Sequence, residues 1–232
     1  MSHPEHKCDP VLGEQVHANL LKLGIETPVL SGHLIKNNPT LAVEAISTNI
    51  TAIMSILGLD LKDDSLCDTP NRVAKMYVNE IFWGLNYNKF PKCTAVENKM
   101  KYNGSYVLER GISVLSTCEH HFQNIVGTAC VAYVPNKHVL GLSKLNRIVE
   151  FFSKRPQVQE RLTQQIMETI KYVAKTEDVA VYIKAQHFCV KARGIQDGNC
   201  DTITFAGSGV FGDNVNVKSD ARREFLADCR YE

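Results

Sequence analysis

Residues 106–134 have the sequence YVLERGISVLSTCEHHFQNIVGTACVAYV, and this stretch decides the fold class. Its two arms, residues 106–115 and 123–134, are rich in β-branched and apolar residues, which is typical of strands. The six residues 116–121 join them. We therefore expect two consecutive strands whose connection carries one cysteine and two histidines.

Helical patterns precede this strand pair. An amphipathic segment within residues 1–37 indicates a peripheral N-terminal arm. Asn38, which is followed by proline, is a good N-cap residue and predicts a helix that ends at Gly58. Asp68, with a proline two residues later, predicts a second helix that runs to Gly84. The N-terminal region is therefore expected to be helical.

After the strand pair the pattern turns helical and then returns to strands. Helices are predicted over residues 144–152 and from Pro156 onward, strands over 179–191 and 202–210, and a polar terminal helix over 219–230. The order from residue 100 is β-β-α-α-β-β, which indicates an α+β fold. We expect a helical arm and helix pair over residues 1–97 and a second domain over residues 98–232.

The composition is that of an ordinary globular protein, with 232 residues, 44% hydrophobic and 22% charged. The net charge of +1, from 26 basic and 25 acidic residues, favours neither nucleic acid nor a membrane as partner. The first 13 residues lack an apolar signal core, and no stretch approaches the roughly 20 apolar residues of a membrane span, which predicts a cytoplasmic protein. The eight irregularly spaced cysteines predict mostly free thiols.

The connection Cys118-Glu119-His120-His121 is the sharpest chemical feature. A thiolate and two imidazoles within four residues are natural ligands for zinc. In an extended strand Cys118 and His120 share a face, whereas Cys118 and His121 converge only where the chain turns. The pattern alone leaves either histidine as the ligand.

The predicted strand 179–191 carries a second imidazole and thiol. Its odd positions from 179 to 185 are apolar, and the same face continues to His187 and Cys189. With Cys118 and one histidine, Cys189 would complete three protein ligands and leave a fourth position for water, which is typical of catalytic zinc. A single cysteine or histidine is more often an ordinary buried or surface residue, so the hypothesis depends on both clusters together.

Two groups of polar residues suit a nucleotide. Ser143 and Lys144 begin a predicted helix one turn before Arg147, and Arg193 follows the strand that carries Cys189. A helix start with a hydroxyl and cations can hold phosphate, although such cations are usually solvated.

Gln159 and Glu160 lie on the polar side of a helix, for which a solvated face is the ordinary interpretation. A carboxylate there could accept hydrogen bonds from the N1–H and 2-amino groups of guanine together.

These motifs, in this order, resemble those of GTP cyclohydrolase I. The matching segments are residues 68–76 (DTPNRVAKM), 116–121 (STCEHH), 141–147 (GLSKLNR), 155–162 (RPQVQERL) and 187–194 (HFCVKARG). The resemblance covers roughly residues 40–230, and several motifs in register are more specific than any one of them. It implies a tunnelling fold, in which β-β-α-α-β-β subunits join their sheets into a barrel within a homodecamer of two pentameric rings. Residues 98–232 would form its catalytic domain.

The resemblance also implies roles for individual residues. Cys118, His121 and Cys189 would bind zinc, and His120 and His187 would be free for proton transfer. Glu160 with Gln159 would hold the guanine edge. The triphosphate would be held by Ser143, Lys144, Arg147 and Arg193, with Arg72 reaching it from a neighbouring subunit.

The implied reaction consumes GTP. Water activated by zinc adds to C8 of the guanine while His120 protonates N7, and His187 assists the proton transfers of ring opening. A second hydrolysis releases formate, and rearrangement gives 7,8-dihydroneopterin triphosphate, the first step towards tetrahydrofolate or biopterin.

Two other hypotheses fit part of the sequence. The same fold also serves pterin synthases and queuosine-pathway reductases. A non-enzymatic nucleotide-binding module would have a closed, structural zinc with His120 or His187 as fourth ligand. The chain also departs from the family pattern, with Gln196 where arginine is common and an interruption at residues 198–201, both near the expected phosphate end.

Overall fold

The computed structural model describes residues 7–102, 105–212 and 220–230, which form an α+β structure. The helices are α1 (Pro10–Lys22), α2 (Leu34–Asn37), α3 (Pro39–Ile56), α4 (Thr69–Met76), α5 (Leu142–Ser153), α6 (Gln159–Ala174), α7 (Phe188–Lys191) and α8 (Asp220–Asp228). The strands are β1 (Ala95–Glu97), β2 (Val107–Cys118), β3 (Asn124–Tyr133), β4 (His138–Leu140), β5 (Pro156–Gln157), β6 (Val179–His187) and β7 (Thr202–Gly207).

The main sheet has the strand order β5-β2-β3-β6-β7. Strands β2, β3, β6 and β7 pair antiparallel, and β5 adds two residues parallel to the end of β2. A shift of register between Glu109 and Ile112 bends β2, where Gly111 has a φ of 71° that glycine adopts without strain. The predicted strand pair 106–134 is confirmed, and β1, β4 and β5 are additional short strands.

The core lies between the sheet and helices α5 and α6. The odd positions of β6 from Val179 to Ala185 are buried here, as their apolar pattern predicts, against residues such as Ile148 and Ile166. Complete burial of one such side chain contributes roughly 1.5–3 kcal/mol. A smaller cluster on the opposite face of the sheet includes Phe225 of α8.

The N-terminal helix is part of this core and not peripheral. Val16 and Leu20 of α1 are fully buried in the same cluster as the sheet residues, together with Trp83 and Phe90. The predicted helix after Asn38 is also confirmed, since the Asn38 side chain accepts a hydrogen bond from the N–H of the first turn of α3.

The strand predicted over residues 179–191 is too long. Strand β6 ends at His187, whose neighbour on β3 is Ile125, and β3 begins only one residue earlier. Beyond this point the chain would have no ladder partner, so residues 188–191 form the helical turn α7 instead. Cys189 therefore lies on a helical turn and does not continue the strand face.

The helix predicted from Pro156 begins three residues later. Pro156 and Gln157 pair with Thr117 and Cys118 as strand β5, and α6 starts at Gln159. Proline is tolerated at the first residue of an edge strand, because its missing N–H is not needed there.

Three other boundaries differ from the prediction. The helix from residue 68 is regular only to Met76, continues as one π-helical turn, and Asp68 does not cap it. The last strand ends at Gly207, followed by a 3-10 turn. The terminal helix ends at Asp228, two residues before its predicted end, and its predicted first residue lies outside the described residues.

A buried arginine ties the N-terminal region to the connection between α5 and α6. The Arg155 side chain is 1% exposed and lies 2.9 Å from the Glu26 carboxylate, which is 6% exposed. The guanidinium also donates to the carbonyl of Gly84 and to the hydroxyl of Tyr87. It stacks against Phe151, 4.9 Å from the ring centre.

Replacement of Glu26 by alanine should lower the free energy of unfolding by about 3–5 kcal/mol, because it leaves the Arg155 charge buried without its counter-ion. Urea unfolding would measure the change. Lys99→Ala is the matched control, since Lys99 pairs with Glu97 at the surface, where such pairs contribute little. Equal stabilities of the two variants would contradict the prediction.

Candidate active site

Two thiols and one imidazole converge at one end of the main sheet. The sulfur atoms of Cys118 and Cys189 and a ring nitrogen of His121 all lie within 4.8 Å of one another. Cys118 ends β2 and is buried, Cys189 is half-buried in α7, and His121 is exposed in the turn after β2. Within the parts of the chain that the structure describes, this is the one such group of three or more potential ligands.

The turn after β2 decides which histidine joins the thiols. The N–H of Cys118 donates to the carbonyl of Gln123 (2.8 Å) and that of Phe122 to the carbonyl of Cys118 (2.9 Å), so the chain reverses here. Phe122 adopts a left-handed φ of 52°, which is uncommon for a large side chain. The reversal brings His121 to the thiols, whereas Nδ1 of His120 lies beside the group, 3.8 Å from the Cys118 sulfur.

The three donors fit a zinc ion chemically. Thiolate and imidazole are the ligands that zinc prefers, and three of them leave a fourth tetrahedral position open. Burial, followed by the neighbouring Cys118 thiol, raises the pKa of Cys189. A bound cation would favour both thiolates and so reverse this effect.

Gln159 fixes the orientation of His187. The Gln159 side chain is only 1% exposed, so the interpretation as part of a solvated face is wrong for this residue. Its amide nitrogen lies 3.2 Å from the carbonyl of Ile183, 3.0 Å from that of Thr202 and 3.1 Å from the hydroxyl of Thr204. Its amide oxygen lies 2.8 Å from Nε2 of His187.

These partners determine the tautomer of His187. Carbonyl oxygens only accept hydrogen bonds, so the amide nitrogen of Gln159 must face Ile183 and Thr202, and its oxygen must face the imidazole. His187 therefore donates from Nε2, and Nδ1 is the acceptor of the neutral ring. Burial lowers the pKa of His187, and the nearby Glu160 carboxylate acts in the opposite direction.

Two of the predicted substrate residues, Glu160 and Arg193, lie close to His187 and Cys189 respectively. Glu160 is exposed, and its charge acts on His187. Arg193 is also exposed, and its charge acts on Cys189. The anionic Glu160 thus lies near His187, and the cationic Arg193 lies near Cys189.

The other predicted substrate residues lie on different elements. Ser143 and Lys144 are in the first turn of α5, as predicted, and Arg147 is in the next turn. The charges of Lys144 and Arg147 both act on the thiol of Cys93, whose pKa burial raises to about 12. Arg72 is exposed on α4, where it pairs with the carboxylate that precedes the helix.

Two residues that the sequence did not single out, Glu119 and Arg161, form a two-point ion pair at the position that directly follows Cys118. Both residues lie inside the quoted motifs, between or directly after candidate site residues. That position was the available signal, but nothing in the sequence indicates that the two side chains meet.

The fold and the site together define a class of protein. An α+β chain that gathers two thiols and an imidazole, with His120 beside one thiol and His187 two residues before the other, has the site of a candidate metalloenzyme. No helix of the described segments has both the length and the apolar character needed to cross a membrane.

Comparison with known proteins identifies the family. The family model for GTP cyclohydrolase I matches residues 46–227. A GTP cyclohydrolase 1 of Aeromonas salmonicida is 54% identical over 215 residues, which cover 93% of this chain and 95% of the relative. One of Haemophilus influenzae is 51% identical over 208 residues, covering 90% and 92%. The chain therefore belongs to the GTP cyclohydrolase I family and is an enzyme, a hydrolase that acts on GTP.

Replacement of Gln159 by leucine should remove the hydrogen bond that fixes the tautomer of His187 and the side-chain hydrogen bonds to the carbonyls of Ile183 and Thr202. We expect a loss of about 1–3 kcal/mol of unfolding free energy, because buried acceptors lose a hydrogen bond. Urea unfolding and the ¹⁵N NMR shifts of His187 would report the two effects. Gln164→Leu, at an exposed position of the same helix, should change neither. Unchanged His187 shifts in Gln159→Leu would refute the assignment.

Proposed function

We propose that this chain opens the imidazole ring of GTP at C8, releases formate and forms 7,8-dihydroneopterin triphosphate with the help of zinc. The observation that carries the proposal is the convergence of Cys118, His121 and Cys189 next to His120, in a chain of this family. The product would enter tetrahydrofolate or biopterin synthesis.

Cys118, His121 and Cys189 would hold the zinc ion. When bound, zinc supplies a Lewis acid that lowers the pKa of a water molecule towards ~7 and so makes it nucleophilic at neutral pH. The buried position of Cys118 supports this assignment, because a site partly shielded from water strengthens electrostatic interactions.

The two remaining histidines would move protons. His120, exposed beside the Cys118 sulfur, would protonate N7 of the guanine as water adds to C8, since the ring needs a place for the added charge. His187 would accept and return a proton at Nδ1 during ring opening, because Gln159 occupies its Nε2–H.

Recognition of the substrate would be divided between the two ends of GTP. Glu160 would accept from the guanine edge, and Gln159 would contribute by orienting His187, since its own amide already has protein partners. The triphosphate would be bound by Ser143, Lys144, Arg147 and Arg193, with Arg72 contributed by a neighbouring subunit. The exposure of Arg72 and its distance of 3.5 Å from its carboxylate partner leave it able to exchange partners.

Formate release from GTP would test the reaction. Removal of the metal should abolish formate release, and added zinc should restore it. His120→Ala should lower kcat by about 10²–10⁴-fold, which is the usual contribution of a general acid. His138→Ala is the matched control, since His138 lies on β4 in the small second sheet.

Either of two results would contradict this function. Full activity without metal would exclude the role of zinc. If folded, zinc-loaded protein released no formate, a closed structural zinc with His120 as fourth ligand would be the better interpretation.

We further propose the tunnelling fold and a homodecamer of two pentamers. Among the described residues, β5 covers the edge of β2 only at its last two residues, and β7 ends the sheet on the other side. Open edges at both ends can pair with neighbouring subunits into a barrel. In addition, α3 exposes apolar residues, with Ile53 at 52% and Ile56 at 85%. The division at residues 97 and 98 and the cytoplasmic location remain predictions.

The mass of the native assembly would test the homodecamer. Native mass spectrometry should give ten times the mass of one chain. Ile56→Lys should give smaller assemblies, because a charge would then replace an apolar side chain in a subunit contact. A monomeric native protein, or an unchanged assembly of the variant, would contradict the decamer or the role of α3 respectively.

A further inference from the structure

An ion pair between Glu119 and Arg161 links the turn after β2 to helix α6. Neither residue is a proposed ligand or substrate residue. Nη1 of Arg161 lies 2.6 Å from Oε2 of Glu119, and Nη2 lies 3.3 Å from Oε1. The side chains are 21% and 23% exposed, so solvent screens the pair less than an ordinary surface pair. A two-point contact between guanidinium and carboxylate also fixes orientation as well as distance.

The two residues of this ion pair belong to different segments of the site. Glu119 lies in the turn that carries Cys118 and His121, and its N–H also donates to the carbonyl of Gln157 (3.0 Å) just before α6. Arg161 is in the first turn of α6. The ligand turn is therefore attached to the start of α6 through both main chain and side chain.

The start of α6 also contacts the segment that carries His187 and Cys189. Gln159, two residues before Arg161, holds the ring of His187, and His187 ends the strand that leads into the turn of Cys189. The first turn of α6 is thus connected to both segments that supply ligand atoms.

We propose that Glu119 and Arg161 are positioning residues, whose ion pair holds the Cys118–His121 turn in its metal-binding conformation and in alignment with His187. The proposal depends on the zinc-dependent function proposed above. Neither residue needs to contact GTP or the metal.

The ion pair has a second effect on the choice of ligands. Carboxylate oxygen is itself a zinc ligand, and Glu119 directly follows Cys118 in the chain. Arg161 engages both carboxylate oxygens of Glu119. With both oxygens engaged by Arg161, this carboxylate would not compete for the fourth position of the proposed zinc site.

The test uses Arg161→Gln and Arg161→Lys, with Lys171→Gln as matched control. Lys171 lies on the same helix and pairs with Glu168 at 3.2 Å, with similar side-chain exposures of 19% and 18%, and with Glu177 at 3.0 Å. Co²⁺ is the probe, because its affinity can be measured against a chromophoric chelator and its thiolate charge-transfer absorption reports the ligand geometry. The kcat and KM for formate release complete the comparison.

Arg161→Gln should bind Co²⁺ about 10–100-fold more weakly than the unmodified protein, which is the usual effect of losing a group that orients a ligand. Its charge-transfer absorption should change, and kcat at saturating zinc should fall more than KM rises. Arg161→Lys should lie in between, because lysine keeps the charge but not the two-point geometry. Lys171→Gln should behave as the unmodified protein.

Unchanged Co²⁺ affinity and absorption in Arg161→Gln would overturn the proposal. If that variant does not fold, Arg161→Lys and Glu119→Gln decide by the same criteria. A failure of the zinc-dependent function would appear in the unmodified protein, as absence of Co²⁺ binding or of formate release. A failure of the positioning role alone would appear only in the variants.

Discussion

The register of three antiparallel strands is the constraint on which the site depends. Thr117 of β2 pairs with Asn124 of β3, and the next residue of β3, Ile125, pairs with His187 at the end of β6. Strands β2 and β6 thus end, and β3 begins, at the same end of the sheet. The turn with His121 and the turn with Cys189 face each other there. A slip of one residue would turn the side chains of a strand to the opposite face and would separate the thiols.

The first turn of α6 carries three consecutive residues with different roles at this end of the sheet. Successive helix residues point about 100° apart, so three consecutive side chains can reach three different partners. Gln159 points inward to His187, Glu160 is exposed, and Arg161 reaches back to the ligand turn. A short segment therefore connects proton transfer, guanine recognition and metal binding in the proposed mechanism.

The segment that precedes this turn is held in place by the buried guanidinium of Arg155. Arg155 directly precedes β5, which pairs with the end of β2 at Cys118, and it is fixed by Glu26 and by the main chain of Gly84. Since a buried charge requires its partners, the segment before α6 has little freedom to shift. The N-terminal region thereby supports the site, although it supplies none of the thiols or imidazoles in it.

The sequence by itself determined the strand pair, the alternating face of β6, the capped helix after Asn38 and the residues that carry thiol and imidazole groups. These follow from local preferences and periodicity, which act over a few residues. It also predicted the family through motifs in register, and the comparisons confirmed that prediction.

Tertiary structure alone decided where β6 ends and what Gln159, Arg155 and Arg161 contact. Each of these depends on a partner distant in the chain: β3 for the end of β6, Ile183 and Thr202 for Gln159, and Glu119 for Arg161. Local pattern cannot specify such contacts, because hydrogen-bond ladders and ion pairs form only after the chain has folded back on itself.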